Sequence, residues 1–202
     1  MNKRGTYKVT TAPASEPVTR TEAKAHIKID WTDEDDMVDT LITVARETVE
    51  FHTNRALLTQ TITMAMPCFP SPTFHEPIGY FELFRSPLQE FKTVEYYDSD
   101  NVLQTWYDLD AANTSNLILN TIAEPARVQL AKDKSWPTTY PRTDAVKVTF
   151  VCGWSSASLV PTPLRQAMLL LIGEMYERRE NFIKKLPDAV DWLLAPHTVR
   201  QW

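Results

Sequence analysis

Four histidines are the first residues whose chemistry could build a catalytic or metal site: His26, His52, His75 and His197. No two of them stand four residues apart, which is the spacing of two zinc ligands on one helix face, and no Cys-x-x-Cys pair occurs. His26 and His52 fall at the core-side edges of predicted helices. We therefore interpret them as structural histidines, and we expect neither a metal nor a cofactor.

Carboxylates and nucleophiles also lack a catalytic pattern. The acids at 33–36 suit the start of a helix, where they lie at the positive end of its dipole. Asp108 and Asp110 follow a predicted strand, where Asp is common in turns. Cys152 ends an apolar strand, which is typical of a buried thiol, and no Gly-x-Ser-x-Gly sequence surrounds any serine. We predict that the chain is not an enzyme.

Composition favours a soluble globular protein. The chain has 202 residues, of which 43% are hydrophobic and 23% charged, and its four glycines leave no room for a Gly-rich phosphate loop. A net charge of −5 gives no overall attraction for DNA. Two cysteines and the lack of a long apolar run predict synthesis in the cytoplasm and no membrane contact.

Charge is distributed unevenly along the first part of the chain. Residues 1–29 carry six cations against two acids, whereas residues 30–36 are strongly acidic. Two interpretations remain open: a basic face could meet an acidic face of the next copy, or both could be solvated patches.

Two helices are predicted near the N-terminus. Thr19 and Glu22 have the spacing of a capping box, which starts a short helix that ends near Ile29. A second helix should run from about Thr32 to Asn54, because apolar residues and one histidine recur there at helical spacing: Val38, Leu41, Ile42, Ala45, Val49 and His52.

The period changes in residues 57–154. Apolar residues alternate in 61–66, and further strand patterns occur at 80–84, 91–97, 102–107, 126–130 and 146–151. Polar turn formers at 98–101 predict a hairpin, and no helical pattern separates the strands. A mainly antiparallel sheet is therefore expected.

The last stretch is helical again. Thr162 is the expected N-cap and Pro163 the first helical residue of an unusually apolar helix. Leu169, Leu170 and Ile172 widen its apolar face, so that it is buried in its own core or against neighbouring copies. A short segment at 187–194 and an aromatic tail follow. The tail is predicted to dock into a partner, with folding back onto its own core as the alternative.

These patterns predict an α+β fold, in which N- and C-terminal helices form a helical core around a central, mainly antiparallel β insertion. The expected divisions are residues 1–56 for an N-terminal arm and two helices, 57–158 for the β-rich insertion, and 159–202 for the core helix and docking tail.

The order of several short motifs resembles the head–tail connector (adaptor, head-completion) family of tailed phages. The motifs span nearly the whole chain, at residues 16–19, 22–30, 33–36, 53–57, 96–98, 150–154, 160–161, 176–180 and 193–196. Three residues depart from the family pattern. Asn54 stands where glycine is frequent, Cys152 where a small residue is usual, and His197 where an aromatic is frequent.

The resemblance implies a structural subunit of the virion neck. Identical copies, expected to be twelve, would form a ring under the portal, with double-stranded DNA passing through it. The β insertion would face outwards or contact a stopper or tail neck protein. The predicted ring contacts are Val38, Leu41, Ile42, Leu169, Leu170 and Ile172. The predicted portal-docking tail contains Trp192, Leu193, Leu194, Val199, Arg200 and Trp202. The alternatives are a stopper or tail-completion protein, and an uncharacterised enzyme.

Overall fold

The computed structural model describes residues 5–70, 79–178 and 186–199, and the chain divides into two compact units. The β unit comprises Met1–Ala12 and Gln60–Gly153, and the helical unit comprises Pro13–Thr59 and Trp154–Trp202. The predicted α+β class is confirmed, because the helices lie in one unit and the strands in the other.

Eight strands are described in the β unit: β1 (Thr6–Thr11), β2 (Gln60–Met66), β3 (Tyr80–Glu82), β4 (Leu88–Tyr97), β5 (Leu103–Asp108), β6 (Leu117–Asn120), β7 (Arg127–Leu130) and β8 (Val146–Cys152). Five of them form a sheet in the order β1-β2-β8-β4-β5, and three form a second sheet in the order β3-β7-β6. All the strand pairs are antiparallel, as the sequence predicted, but one expected sheet is in fact two.

Alternating side chains fix the register of the large sheet. Along β2 every second residue is buried, and Ile62 lies opposite Phe150 while Met64 lies opposite Val148. A shift of one residue would turn this apolar face to water, so the register is strongly specified. Asp98 closes the β4–β5 hairpin by accepting hydrogen bonds from the amides of Asp100 and Val102, each at 3.0 Å.

The N-terminal lead belongs to the β unit, whereas the sequence grouped residues 1–56 with the helices. β1 pairs with β2, from Thr6 opposite Ala65 to Thr11 opposite Thr61. Gly5 permits this approach, because a Cβ at that position would lie only 2.6 Å from the Ala65 carbonyl oxygen. A short polar strand carries little sequence signal when its partner lies far along the chain.

Four α-helices are described in the helical unit: α1 (Arg20–Ile27), α2 (Asp35–Thr53), α3 (Thr162–Glu177) and α4 (Asp188–Leu194). The predicted capping box starts α1: the Glu22 amide donates to Thr19 Oγ1 at 3.2 Å, and the Thr19 amide donates to Glu22 Oε2 at 2.8 Å. Thr162 is already helical in α3 and Pro161 is the N-cap, so that boundary was misplaced by one residue.

Opposite charges join α1 to α2. The Lys24 ammonium lies 2.6 Å from Asp35 Oδ1, and the Arg20 guanidinium binds Asp35 and Asp39. The hydrogen bond from Lys24 lowers the pKa of Asp35, and the hydrogen bond from Arg20 lowers the pKa of Asp39. Part of the basic lead therefore meets the acidic run within one subunit.

A buried ion pair holds the C-terminal half of α2. The Arg46 guanidinium donates to Glu50 at 3.1 Å and to Glu16 at 2.9 Å, and Glu50 accepts the Leu57 amide at 2.8 Å. Arg46 and Glu50 are at most 8% exposed. The network ties the segment before α1 and the chain after α2 to this helix, so that losing Arg46 removes the cation that both carboxylates share.

Replacing Arg46 tests this network. Arg46→Met should lower the free energy of unfolding of the helical unit by about 3–5 kcal/mol, because the buried Glu50 carboxylate would lose the guanidinium charge beside it. Urea unfolding followed by far-ultraviolet circular dichroism measures the change. The control is Glu47→Ala, whose exposed carboxylate lies 3.6 Å from Arg46 and should change stability by at most about 0.5 kcal/mol. Equal effects of the two variants would contradict the assignment.

Acid should weaken the clamp between α1 and α2. Because the pKa of Asp39 is lower in the folded than in the unfolded chain, its contribution is present above the unfolded pKa of about 3.9 and disappears as pH falls through the folded value. Asp39→Asn should therefore lower the melting temperature at neutral pH, and its difference from the wild type should shrink as pH falls below about 3.9.

Asp36→Asn is the matched control for this measurement. Asp36 lies in the same helix and makes no ion pair among the described residues. Its replacement should change the melting temperature only slightly at neutral pH. A difference between Asp39→Asn and wild type that does not vary with pH would show that the clamp is not ionic.

Candidate assembly surfaces

Three of the six predicted ring contacts lie inside the subunit. Val38 and Ile172 are 0% exposed and Ile42 is 2% exposed, packed among the core side chains of α2 and α3. A neighbouring subunit cannot contact them in this structure, so that part of the predicted interface is corrected. The physical reason is that α2 and α3 use their most regular apolar stripes to bury one another.

The other three predicted contacts are partly exposed. Leu41 on α2 and Leu169 and Leu170 on α3 pack against the core and still reach the surface of the helical unit. They remain candidates for contact with another copy.

A second apolar stripe lies on the outer side of α2, and sequence reasoning missed it as a separate surface. Met37, Leu41, Val44, Thr48 and Phe51 recur at alternating steps of four and three residues, which places them in one line along the helix. Val44 is 41% exposed and Phe51 is 70% exposed. The 4-3 spacing could have indicated this surface, but in the sequence it is interleaved with the stronger apolar pattern of the stripe that faces the core.

The described part of the tail folds back on its own unit. Leu194 and Val199 are buried, the Val199 amide donates to the Thr53 carbonyl at 2.9 Å, and Arg55 Nε donates to the His197 carbonyl at 2.6 Å. This corrects the prediction that Leu194 and Val199 dock into a partner. Their apolar side chains complete the subunit's own core.

Trp192 differs from these residues. Its side chain is 82% exposed on α4, and the neighbouring Leu193 is partly exposed. Arg200 and Trp202, also predicted to dock, lie outside the described residues. Within the described residues, the outer face of α4 is therefore the exposed part of the predicted tail.

The β unit carries two rigid loops with exposed apolar side chains. The Asp98 carboxylate holds the β4–β5 turn, beside which Val102 is 52% exposed. Between β6 and β7, Asn120 Oδ1 accepts hydrogen bonds from the amides of Ile122 and Ala123, each at 3.2 Å, and Ile122 is 95% exposed. Ordered loops with apolar tips lose little entropy on binding a protein surface.

Ionisable groups in the described residues do not converge on a catalytic or metal-binding arrangement. Within residues 5–70, 79–178 and 186–199, no three His, Cys, Asp or Glu side chains come together as metal ligands. Cys68 is exposed and Cys152 is buried, and neither forms a disulfide. An open groove of about 400 Å³ is lined in part by Glu16, Arg20 and Asp39. Arg20 binds Asp39 and Glu16 binds Arg46, so these charges are already paired.

The described helices are also unsuited to a bilayer. In the part of the chain that the structure covers, none combines the length and the apolar character needed to cross a membrane.

Solved structures with the same fold come from gene transfer agent (GTA) particles. A chain in the neck of an empty GTA particle computed with C6 symmetry matches with a TM-score of 0.75 and 18% identity, over 98% of this chain and 97% of that chain. A chain in the virion of the native particle matches with a TM-score of 0.75 and 19% identity, over 97% and 96% of the two chains. A chain in the native neck computed with C12 symmetry matches with a TM-score of 0.73 and 18% identity, over 98% and 97%.

Sequence comparison adds no further relative, because no family model and no curated protein matches the chain. The structural matches nevertheless cover both units. The predicted likeness to head–tail connectors is thus confirmed at the level of the fold: over nearly its whole length, this chain has the fold of chains found in the neck and virion of gene transfer agent particles.

Proposed function

We propose that this chain is a structural subunit of a phage-type neck. Copies form a ring beneath the portal that joins the DNA-filled head to the tail and lets double-stranded DNA pass. The observation that carries the proposal is the fold match over 98% of the chain to a chain in a GTA neck. The match covers both units rather than one common motif, and the step from a shared fold to a shared role is an inference by analogy.

A ring of twelve copies agrees with the symmetry of those necks. They were computed with C6 and with C12 symmetry, and a dodecamer satisfies both. A closed ring needs two different faces on each subunit, one for each neighbour. The helical unit has partly exposed apolar residues on α2 and on α3 to supply them, including Leu41 and Leu170.

The charge of the chain suits a conduit for DNA. Protein cations that bind phosphates release counterions, and this holds DNA in place. With a net charge of −5, and with Arg20, Lys24, Arg46 and Arg165 paired to acids of the same unit, a ring of this chain would let DNA slide.

The outer face of α4 is the proposed portal-binding surface. Trp192 is the most exposed aromatic residue among those described, and large aromatics in such positions often supply much of the binding energy of an interface. Leu193 lies beside it, and Arg200 and Trp202 remain predicted contacts. Leu194 and Val199 then have a different role, because they anchor α4 and the following turn to the subunit core.

Portal binding tests this assignment. Trp192→Ala, and a chain that stops after Val199, should both fold with an unchanged melting temperature and bind purified portal rings at least about tenfold more weakly. Trp31→Ala is the matched control, because Trp31 is another exposed tryptophan, at 49%, and lies outside the proposed surface. Negative-stain images of portal mixed with each variant give an independent measure of ring attachment.

Different results would separate the alternatives. Unchanged portal binding by both Trp192→Ala and the shortened chain would show that the anchor is elsewhere. A wild-type chain that binds an assembled neck but never a bare portal would favour a stopper or tail-completion protein.

A further inference from the structure

We propose that copies of this chain join head to tail, with the outer stripe of α2 on one copy seated against the α1–α3 face of the next. The outer stripe consists of Met37, Leu41, Val44, Thr48 and Phe51. The inference rests on the proposed ring and identifies the two surfaces that would build it.

The outer stripe has the form of a helix-packing ridge. Its alternating 4-3 spacing is the pattern by which side chains of one helix insert between those of another. Packing within the described residues leaves Val44 and Phe51 of this ridge 41% and 70% exposed. The Phe51 ring makes an edge-on contact with the ring of His52, with 5.5 Å between the centroids.

The α1–α3 face consists of Ala25, His26 and Lys28 from α1 and its C-cap, with Leu170 and Gly173 from α3. Gly173 and Ala25 carry little or no side chain, and His26 lies beside Gly173, where a Cβ would be 3.5 Å from the imidazole Nε2. His26 therefore covers part of Gly173, and the exposed Ala25 leaves room beside the imidazole for a ridge of larger side chains. Leu170, one turn from Gly173, adds apolar surface.

The two surfaces face away from one another. Asp35 and Asp39 bind Arg20 and so mark the side of α2 that faces α1. At 3.6 residues per turn, these two acids lie on the opposite side of α2 from Val44 and Thr48. On α3, Gly173 lies nearly opposite the buried Leu171. Surfaces on opposite sides of a subunit are the requirement for a chain of identical contacts that closes into a ring.

Charge around the two surfaces is complementary. The acids beside the stripe are Asp36 and Glu47. Asp36 is exposed and makes no ion pair among the described residues, and Glu47 has only a 3.6 Å contact with Arg46. The α1–α3 face carries the exposed Lys28, which makes no ion pair among the described residues, and the exposed Glu177, one turn from Gly173. Lys28 can pair with an acid beside the outer stripe of another copy, which favours contact between the outer stripe and the α1–α3 face. Contact between two outer stripes would bring their acids together and is disfavoured. The occupant that fits the stripe is therefore a second copy of this chain.

Cysteine cross-linking tests the contact even where association is weak. The background is Cys68→Ser, which removes the exposed native thiol. In this background Val44→Cys places a thiol on the outer stripe, and Ala25→Cys places one on the α1–α3 face. With a flexible bis-maleimide reagent, the protein that carries both substitutions should give a ladder of cross-linked multimers. The two single variants should remain monomeric separately, and their mixture should give dimers only, because each retains one reactive face.

Sedimentation velocity of the full chain, alone and with portal rings, provides the second measurement. The double variant Val44→Ser, Phe51→Ser should weaken self-association by about tenfold or more. Val102→Ser, which changes a valine of similar exposure in the β unit, should leave it unchanged.

The outcomes distinguish this inference from the ring itself. Cross-linked dimers of Val44→Cys alone would show stripe-to-stripe pairing and overturn the head-to-tail contact. Rings that form normally in wild type and in Val44→Ser, Phe51→Ser, without a cross-linked ladder, would overturn the two surfaces and leave the ring. Wild-type protein that stays monomeric with portal present, together with no ladder from the protein that carries both introduced cysteines, would overturn both.

Discussion

The helical unit depends on the burial of α3. Leu164, Met168 and Leu171 are at most 2% exposed, and they fill the space between the helices that come from both ends of the chain. Because this helix is used up in holding one subunit together, it leaves few apolar side chains for a neighbour. The surfaces of the helical unit that we propose for assembly are therefore the outer stripe of α2, the α1–α3 face and the outer face of α4.

The helical unit is assembled from two segments that are far apart in sequence, with the β unit between them. Where the chain leaves and re-enters, the Thr59 amide donates to the Trp154 carbonyl at 3.1 Å. A second tie runs from the Val199 amide to the Thr53 carbonyl at 2.9 Å. The entropy cost of closing such a loop grows only slowly with its length, so a large insertion is compatible with a stable helical core. The hydrogen bond from Val199 to Thr53 also explains why the tail up to Val199 belongs to the core of the helical unit.

Local signals in the sequence predicted most of the elements. The Thr19–Glu22 capping box, the end of α2 near Asn54 and the hairpin at Asp98 follow from interactions between residues close in sequence, and all three are present. The pairing of β1 with β2 and the division into two sheets were missed, because strand partners distant in sequence leave no local signal.

The surfaces were harder to predict than the elements. Periodicity indicated that the apolar residues Val38 and Ile42 share one face of α2. It did not indicate whether α3 of the same subunit or a neighbouring subunit would cover that face. α2 carries two apolar stripes, and the one richer in regular aliphatic residues turned out to be internal. Burial therefore decides between core and interface, and only Phe51, a large aromatic exposed on an otherwise regular helix, marks the outer surface clearly.

The central claim is that this chain builds a neck ring through its helical unit. A cryo-electron microscopy reconstruction of the purified particle, focused on the head–tail junction, tests it most directly. The account predicts a ring of this fold directly below the portal, with neighbouring subunits in contact through their helices and α4 next to the portal. A junction without this chain, or with isolated copies attached to the outside of the particle, would contradict it.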